Sequence, residues 1–259
     1  MSRTSSPIWK TRSRGSDPLT RRFAPPSPRL RGEGRGEGRL QLPAVRVAGL
    51  LIAAYLIGSI PFSFLIVKLM SGADIREVGS HNVGATNVAR SFGKLPGIIA
   101  LLLDMAKGYA AVALAKWVTG SPAWPLPFGV DASPLHSRAF WISLCALIAV
   151  LAHMYPVWLG FHGGKGVATA AGAFLALDPI ALAAGAIVFA IVVISTRFVS
   201  LGSIISAASI PIFLRFLTHA PFWSIIISIV IAIAIIVKHH SNIARMAQGR
   251  ERRMGERKE

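Results

Sequence analysis

The stretch VAGLLIAAYLIGSIPFSFLIVKLM at residues 47–70 decides the fold class, because Lys68 is its only ionised side chain. About 20 apolar residues in a helix are enough to cross the hydrocarbon core of a bilayer. Six further apolar stretches follow, at residues 95–118, 139–159, 166–177, 179–195, 200–217 and 222–237. The sequence therefore predicts an all-α polytopic membrane protein. We expect a bundle of about seven transmembrane helices, in which the Ala- and Gly-rich fourth is short or tilted.

The composition supports a membrane protein. Hydrophobic residues make up 53% of the chain and charged residues 15%, whereas soluble domains carry about 25% charged residues. Cys145, the only cysteine, lies in an apolar run. We therefore expect a packed side chain there, and the sequence excludes both a disulfide framework and a cysteine-based metal site.

Residues 1–45 differ from the rest of the chain in composition and charge. They are rich in Arg, Pro, Ser and Gly and have no apolar period, which predicts a disordered basic N-terminal extension. Residues 46–238 are predicted to form the membrane domain, and residues 239–259 a basic cytoplasmic tail. Because much of the net charge of +17 lies at the two ends, beside apolar spans, we expect contact with membrane lipids rather than nucleic acid.

The distribution of Lys and Arg among the loops predicts the orientation. Seven spans place residues 71–94, 160–165, 196–199 and the C-terminal tail on one side, and these segments hold most of the basic loop residues. Short basic loops face the cytoplasm, so this side is predicted to be cytoplasmic and the N-terminus to lie outside. The eleven Lys and Arg among residues 1–46 conflict with that placement. Either translation starts near Val45 or Val47, or a genuine tail overrides the rule.

Four polar stretches fall on the predicted cytoplasmic side, and the first is GSHNVGATNVAR at residues 79–90. Its glycines let backbone amides approach a ligand closely. Arg90 offers a planar cation suited to bidentate contact with phosphate. Hydrogen-bonding side chains are supplied by Ser80, Asn82, Thr86 and Asn87. The alternative is an ordinary surface loop that caps a helix.

The second stretch is HMYPVWLGFHGGKGVAT at residues 153–169. Gly163, Gly164, Lys165 and Gly166 enter a predicted helix, an arrangement typical of phosphate cradles that combine exposed amides, a helix dipole and a lysine. The pattern GxxxxGK[ST] is absent, so we expect no nucleotide hydrolysis. A glycine hinge with a snorkelling lysine is the alternative interpretation.

The third and fourth stretches flank the last two spans. In RFVSLGS at residues 197–203, Arg197 fits either a ligand contact or an interfacial anchor, and Ser200 lies on the adjoining helix. In KHHSNIAR at residues 238–245, His239 and Asn242 share a helix face. No metal site is expected, because adjacent histidines point apart on a helix and no carboxylate lies near them in sequence.

Two ionised residues, Asp104 and Lys107, lie inside the second span. Charges within a span are costly and indicate either a pairing partner or a functional role. Their spacing of three residues permits an ion pair on one helix face. Alternatively, Lys107 lies near the cytoplasmic loops and contacts a ligand there.

In their order and in their residues, these stretches resemble the bacterial glycerol-3-phosphate acyltransferases that use acyl phosphate as donor. The resemblance includes GSIPF at residues 58–62, Asp104-x-x-Lys107-Gly108 and the final His-x-x-Asn-Ile at residues 239–243, and it covers about residues 47–250. It implies a seven-span bundle that transfers a fatty acyl group from acyl phosphate to the 1-hydroxyl of glycerol 3-phosphate. The products are then lysophosphatidic acid and phosphate, in the first acylation step of phospholipid synthesis.

The resemblance also implies roles for individual residues. The expected catalytic set is Ser80, Arg90, Lys165, His239 and Asn242, with the first three binding phosphate and the last two completing the glycerol-phosphate pocket. The wider expected substrate-binding set adds Asn82, Thr86, Asn87, Lys107, Gly163, Gly164, Gly166, Arg197 and Ser200. His81 stands where the family usually has Gly, and a left-handed backbone there would cost about 1 kcal/mol.

No cofactor or metal is expected, because acyl phosphate is already activated and positioning with charge neutralisation could supply most of the acceleration. The expected partners are acyl phosphate, glycerol 3-phosphate, membrane lipids and the soluble enzyme that makes acyl phosphate. The expected location is the bacterial inner membrane, with the site and the C-terminus on the cytoplasmic side. The rival function is a transporter of a phosphorylated small solute, which Gly-interrupted spans and basic residues also fit.

Overall fold

The structure, a computed structural model, describes residues 36–124, 126 and 133–256. The chain divides into two units, Met1–Glu37 and Gly38–Glu259. Residues 1–35 of the predicted disordered extension lie outside the described part. The helix that contains the start of the first apolar segment begins at Gly36, and the predicted disorder of the extension stays a prediction.

Ten α-helices and three single turns of 3₁₀ helix make up the regular structure of the described residues, which contain no strand. The helices are α1 (Gly36–Ser59), α2 (Phe62–Ser71), α3 (Ala85–Phe92), α4 (Lys94–Gly120), α5 (Arg138–Met154), α6 (Val167–Leu177), α7 (Pro179–Thr196), α8 (Val199–Phe216), α9 (Phe222–Lys238) and α10 (His240–Ala247). This confirms the predicted all-α class.

Fewer than seven helices in the described part of the chain are long and apolar enough to be candidate membrane spans. Among the described residues, five segments are long and apolar enough to span a bilayer, and α9 with α10 makes a sixth if the bent pair is one span. The fourth predicted span is α6, whose 11 residues rise only about 16 Å. Since the hydrocarbon core is about 30 Å thick, α6 does not reach across it.

The first span is broken at Pro61, where the sequence predicted one continuous helix. Proline lacks the N–H that would continue the helix, so α1 ends at Ser59 and α2 begins at Phe62. At the break, the carbonyl of Ile60 accepts from the N–H of Phe62 at 3.1 Å, and Lys107 Nζ on α4 also donates to it at 2.7 Å. A neighbouring span thus contributes to the hydrogen bonding of the broken helix.

Glycines bring α4 and α6 into backbone contact. A Cβ at Gly108 would lie 2.0 Å from the carbonyl oxygen of Thr169, and a Cβ at Gly172 would lie 1.8 Å from that of Met105. α5 packs beside this pair and contributes Cys145, which is fully buried in the apolar core as expected. α7 packs mainly against α8.

The end of the last span bends by 54° between α9 and α10. His239 lies at the bend, with backbone φ of −93° and ψ of 7°. The bend turns α10 across the end of the bundle, so that the residues after it approach the loops that follow α2 and precede α6 and α8.

Candidate active site

A cavity of about 730 Å³ lies where the four polar stretches meet. Ten of the predicted site residues line it: Ser80, Asn82, Thr86, Asn87, Arg90, Lys165, Gly166, Ser200, His239 and Asn242. They come from the α2–α3 loop, α3, the α5–α6 loop, α8, the α9–α10 bend and α10, most of which are far apart in sequence. The structure therefore brings together all five residues of the expected catalytic set.

Four predicted site residues do not line this cavity, and the first is Lys107. Its ammonium lies 2.8 Å from Asp104 Oδ1, and only 2% of the side chain is exposed. Ser63 Oγ donates to the other carboxylate oxygen at 3.2 Å. The structure thus shows the ion pair that the spacing permitted, and a substrate contact of Lys107 stays a prediction. Arg197 caps α7 in a left-handed conformation, with φ of 63°, and it does not line the cavity.

Gly163 and Gly164 also lie outside the cavity, and both pack tightly. A Cβ at Gly163 would lie 2.1 Å from the carbonyl oxygen of His153, and a Cβ at Gly164 would lie 2.2 Å from His153 Nε2 and 2.5 Å from the carbonyl oxygen of Val83. Their N–H groups donate to the carbonyls of Met154 and His153, at 3.2 and 3.1 Å. These two glycines therefore hold the loop against α5, and their contact with substrate stays a prediction.

Asn87 organises the loop that carries Ser80. Its Oδ1 accepts from the N–H of Ser80 at 2.9 Å, and its Nδ2 donates to the carbonyls of Val78 at 2.9 Å and Asn82 at 3.1 Å. Only 2% of Asn87 is exposed. Asn87 borders the cavity and its amide fixes the loop through backbone groups, and its predicted contact with substrate stays a prediction.

His81 adopts the left-handed conformation that a glycine would favour, with φ of 57°. Its Nδ1 lies 2.9 Å from the carbonyl oxygen of Arg76. Since a carbonyl oxygen only accepts, Nδ1 carries the proton. This bond holds the ring at the edge of the cavity, which His81 lines.

Arg90 projects from α3 and forms no hydrogen bond or ion pair with any residue in the described part of the chain. The hydroxyl of Ser80 likewise forms none there. A guanidinium and a hydroxyl that face one cavity without protein partners are suited to an oxyanion ligand.

Lys165 immediately precedes α6 and lies between two cavity walls. Its ammonium donates to Asn242 Oδ1, and burial lowers the pKa of Lys165 to about 8, with the nearby Arg245 and Arg90 acting in the same direction and Glu251 opposing them. Gly166 caps α6 with φ of 81°, and no side chain caps the first turn. The N-terminal amides of α6 and the lysine therefore face the same space, as anion sites at helix termini require.

His239 is held in one orientation by its own helix. Its Nδ1 lies 2.7 Å from the carbonyl oxygen of Ile235, so Nδ1 donates and Nε2 is the atom left for other contacts. Only 2% of the residue is exposed. In the neutral ring, Nε2 can accept a hydrogen bond from a hydroxyl group bound in the cavity.

Glu251 is a site residue that the sequence analysis did not identify. Its Oε1 accepts from Ser200 Oγ at 2.8 Å and from Asn242 Nδ2 at 2.6 Å, and its Oε2 accepts from Arg245 Nε at 2.7 Å. Burial alone would raise the pKa of Glu251, but these hydrogen bonds outweigh it and lower the pKa below the ordinary value. Glu251 therefore stays ionised and fixes the positions of the three donors.

The rest of the C-terminal tail folds back as well. The N–H of Met254 donates to the carbonyl of Arg197 at 2.7 Å, and the guanidinium of Arg253 lies 5.4 Å from the ring centroid of Phe198. Several residues of the predicted cytoplasmic tail, among them Arg250 and Arg252, thus line the cavity together with Glu251. The sequence did not predict that the tail folds back, because the tail is mainly a run of basic residues. The contacts that hold it in place are made by the buried carboxylate of Glu251.

The other end of the cavity is an apolar cleft between two helix pairs. α4 and α6 form one wall with Leu101, Met105 and Ala171, and α7 forms the other with Leu182, Ala186 and Phe189. Ala186 is exposed, so the cleft opens toward the surroundings of the spans. A charged, hydrogen-bonding end and an apolar end therefore belong to one continuous cavity.

Comparison with known proteins agrees with this geometry. Residues 48–249 match the family model described as glycerol-3-phosphate acyltransferase. The glycerol-3-phosphate acyltransferase of Desulforamulus reducens is 44% identical over 209 residues, which cover 81% of this chain and 96% of the relative. That of Thermosynechococcus vestitus is 44% identical over 214 residues, covering 82% of this chain and 97% of the relative.

Solved structures give the same result. The glycerol 3-phosphate form of PlsY, an integral membrane glycerol 3-phosphate acyltransferase, is 41% identical, with a TM-score of 0.69 and coverage of 81% of this chain and 96% of that one. The lysophosphatidic acid form is 39% identical, with a TM-score of 0.67 and coverage of 81% and 95%. The chain belongs to the glycerol-3-phosphate acyltransferase family of integral membrane proteins.

Proposed function

We propose that this protein transfers a fatty acyl group from acyl phosphate to the 1-hydroxyl of glycerol 3-phosphate, which gives lysophosphatidic acid and phosphate. The observation that carries the proposal is the continuity of a cationic cavity with an apolar cleft. A soluble dianion and a fatty acyl chain need one site that is polar at one end and apolar at the other. Acyl transfer between them requires that these two ends meet, as they do here.

The charged end of the cavity binds the phosphate groups. Arg90 and the Ser80 hydroxyl form one donor set on the α2–α3 side, and Lys165 with the first amides of α6 forms a second. Two donor sets suit two substrates that each carry a phosphate, because neighbouring anions repel unless cations lie between them. Asn82, Thr86 and Asn242 supply further hydrogen bonds around them.

The reaction needs no covalent enzyme intermediate. The glycerol hydroxyl oxygen attacks the carbonyl carbon of the acyl phosphate, the new ester C–O bond forms, and the bond from carbon to the phosphate oxygen breaks. The hydroxyl proton passes to the departing phosphate. Nε2 of His239 orients the hydroxyl by accepting its hydrogen bond, and the cations neutralise charge as the phosphate leaves.

The protein acts in the bacterial inner membrane, with the cavity and the C-terminus on the cytoplasmic side. The basic loops around the cavity support this orientation, since short basic loops remain in the cytoplasm. Glycerol 3-phosphate then enters from the cytoplasm, and the acyl phosphate reaches the cleft between the spans. The soluble enzyme that makes acyl phosphate is the expected supplier of the donor.

The identity of the acyl donor is tested by incubating purified protein with radiolabelled glycerol 3-phosphate and either acyl phosphate or acyl-CoA. We expect labelled lysophosphatidic acid from acyl phosphate only. Product from acyl-CoA alone would overturn the choice of donor. Absence of any lipid product, together with uptake of the label into vesicles that contain the protein, would overturn the acyltransferase and favour a transporter of phosphorylated solutes.

A further inference from the structure

We infer that Arg252, in the tail after α10, binds the phosphate of glycerol 3-phosphate together with Arg90. The inference rests on the proposed function, because it takes glycerol 3-phosphate as the soluble ligand of the cavity. Arg90 and Arg252 both line the cavity, although they are far apart in sequence. The tail thereby adds a residue to the substrate-binding set that was expected from the sequence.

The backbone at Arg252 is held from both sides. Immediately before it, the Glu251 carboxylate accepts from Asn242 Nδ2 at 2.6 Å. Two residues after it, the N–H of Met254 donates to the carbonyl of Arg197 at 2.7 Å. Arg252 is therefore fixed beside the cavity by its neighbours and does not lie on a free chain end.

The Arg252 guanidinium, like that of Arg90, forms no hydrogen bond or ion pair with any residue that the structure describes. The two positive charges nevertheless act on each other. Partial burial lowers the pKa of Arg90, Glu251 opposes this effect, and the charges of Arg252 and Arg245 lower the pKa further. Two unpaired cations that repel each other beside one cavity are stabilised when an anion lies between them.

The charge of the cavity also favours an anionic ligand. Among the described residues, five cationic side chains line it: Arg90, Lys165, Arg245, Arg250 and Arg252. Arg245 pairs with Glu251 at 2.7 Å. Asp104, the other carboxylate that lines the cavity, pairs with Lys107 at 2.8 Å. Four positive charges in this part of the chain therefore lack a carboxylate partner, which matches two bound phosphates of roughly two negative charges each.

The position of the two guanidiniums favours the soluble substrate. Arg90 and Arg252 are both exposed, so the space that they border is open to a ligand from water. The acyl phosphate instead has its chain in the apolar cleft. A phosphate group offers three acceptor oxygens, so one phosphate can accept from both guanidiniums and still accept from the hydroxyl of Ser80.

Steady-state kinetics of purified Arg252→Ala with glycerol 3-phosphate and acyl phosphate test the inference. We expect KM for glycerol 3-phosphate to rise about tenfold, at the lower end for a charged hydrogen bond because the site is open to water. The KM for acyl phosphate, kcat and Tm should stay unchanged. Arg252→Gln keeps most of the side-chain length without the charge, and it should show the same rise if Arg252→Ala lowers Tm.

Arg253→Ala is the matched control, because it removes the same charge from the next residue. Arg253 does not line the cavity, and its guanidinium lies 5.4 Å from the ring centroid of Phe198. Its KM for glycerol 3-phosphate should stay within about twofold of normal, as expected for a surface charge. A rise as large as in Arg252→Ala would overturn the inference, because the charge of the whole tail would then explain both effects.

A double-mutant cycle tests whether the two arginines share one phosphate. The rise in KM for the protein with both Arg90→Ala and Arg252→Ala should differ from the product of the single rises by more than about twofold. A rise equal to that product, a normal KM in Arg252→Ala, or a rise confined to the KM for acyl phosphate would overturn the inference and leave the acyltransferase intact. If the unaltered protein makes no lysophosphatidic acid, the proposed function itself fails, and the inference fails with it.

Discussion

Oε1 of Glu251 lies 2.6 Å from Nδ2 of Asn242, although the carboxylate belongs to the tail that follows the last helix. The same oxygen accepts from Ser200, and Arg245 donates to the other. Asn242 Oδ1 in turn accepts from Lys165. One carboxylate thus connects α8, α10 and the loop before α6, and it keeps Asn242 oriented toward the lysine.

Replacing Glu251 with Ala is therefore expected to lower both stability and activity. The change leaves three donors without their acceptor, and each unsatisfied buried donor costs about 1–3 kcal/mol. We expect a lower Tm in detergent, measured by thermal unfolding, and at least a tenfold loss of kcat/KM. The control is Glu256→Ala, whose carboxylate accepts only from the N–H of Arg253 at an exposed site. Equal losses in the two variants would show that the Glu251 contacts have no special role.

Lys165 gives the reaction a defined pH dependence. Burial lowers its pKa to about 8, so the free protein loses this positive charge as the pH rises through about 8. Binding of a phosphate dianion should weaken over the same interval, and kcat/KM for glycerol 3-phosphate should fall by up to tenfold per pH unit. The pH profile of kcat/KM measures the effect.

The Lys165→Arg protein is the matched comparison for this profile, because arginine keeps its charge throughout the range. Its kcat/KM should be lower overall but flat between pH 7 and 9. A decline in Lys165→Arg at the same pH as in the unaltered protein would assign the titration to another group.

Arg90 should act on substrate binding rather than on folding, since it has no partner among the described residues. Arg90→Ala is expected to raise KM for glycerol 3-phosphate about 10- to 100-fold, because charged hydrogen bonds contribute roughly 1.5–3 kcal/mol. Tm should not change. Arg90→Lys should recover only part of the loss, because lysine cannot bind phosphate in a bidentate manner.

Arg76→Ala is the control for Arg90. Arg76 pairs with Asp74 at 2.6 Å on the surface and does not line the cavity. A rise in KM as large in Arg76→Ala as in Arg90→Ala would mean that general surface charge, not a specific contact, governs binding.

Gly164 should tolerate no side chain. A Cβ would lie 2.2 Å from His153 Nε2 and 2.5 Å from the carbonyl oxygen of Val83, so Gly164→Ala forces the loop away from α5. Overpacking of this kind costs about 1–3 kcal/mol. It should also move Lys165, which is the next residue. We expect a lower Tm and a higher KM for glycerol 3-phosphate, measured by thermal unfolding and steady-state kinetics.

Gly49→Ala provides the contrast within the same chain. Nothing lies within 4 Å of a Cβ built there, and alanine favours a helix over glycine by about 1 kcal/mol. The substitution in α1 should leave KM unchanged and Tm equal or higher. Normal kinetics in Gly164→Ala would show that the close packing of that loop is not needed for the site.

Substitution of Lys107 tests whether the buried ion pair between Lys107 and Asp104 stabilises the fold. Lys107→Met leaves the carboxylate of Asp104 buried without its cation, and breaking a buried pair costs about 3–5 kcal/mol. We expect a large fall in Tm, and KM for glycerol 3-phosphate within a few-fold of normal in the protein that remains folded. The paired change Asp104→Asn with Lys107→Met should recover part of the stability. A specific rise in KM at unchanged Tm would instead restore a substrate contact for Lys107.

Hydropathy was sufficient to predict the bounds of several spans. α7, predicted at residues 179–195, is Pro179–Thr196, and α9, predicted at residues 222–237, is Phe222–Lys238. Such boundaries depend on local composition, with Pro179 and Pro221 placed where a helix begins. The span count was less predictable, because whether the 11 residues of α6 reach across a membrane depends on length and packing rather than on their apolar character.

The candidate site was partly predictable for a similar reason. Ser80, Arg90 and Lys165 could be chosen by residue type and position at the ends of spans. The roles of Asn87, Gly163 and Gly164 could not, because polar side chains and glycines serve equally well to bind a ligand or to fix a loop. Only the tertiary contacts distinguish the two. Glu251 lies nine residues after Asn242 in a basic tail, and its burial has no sequence signal.

An experimental structure of the protein with glycerol 3-phosphate bound tests most directly whether the charged end of the cavity is the acceptor site. We predict phosphate oxygens about 2.7–3.2 Å from Arg90 and from Ser80 Oγ or Lys165 Nζ, with a glycerol hydroxyl facing Nε2 of His239. An ordered glycerol 3-phosphate that touches none of these four residues would contradict that assignment.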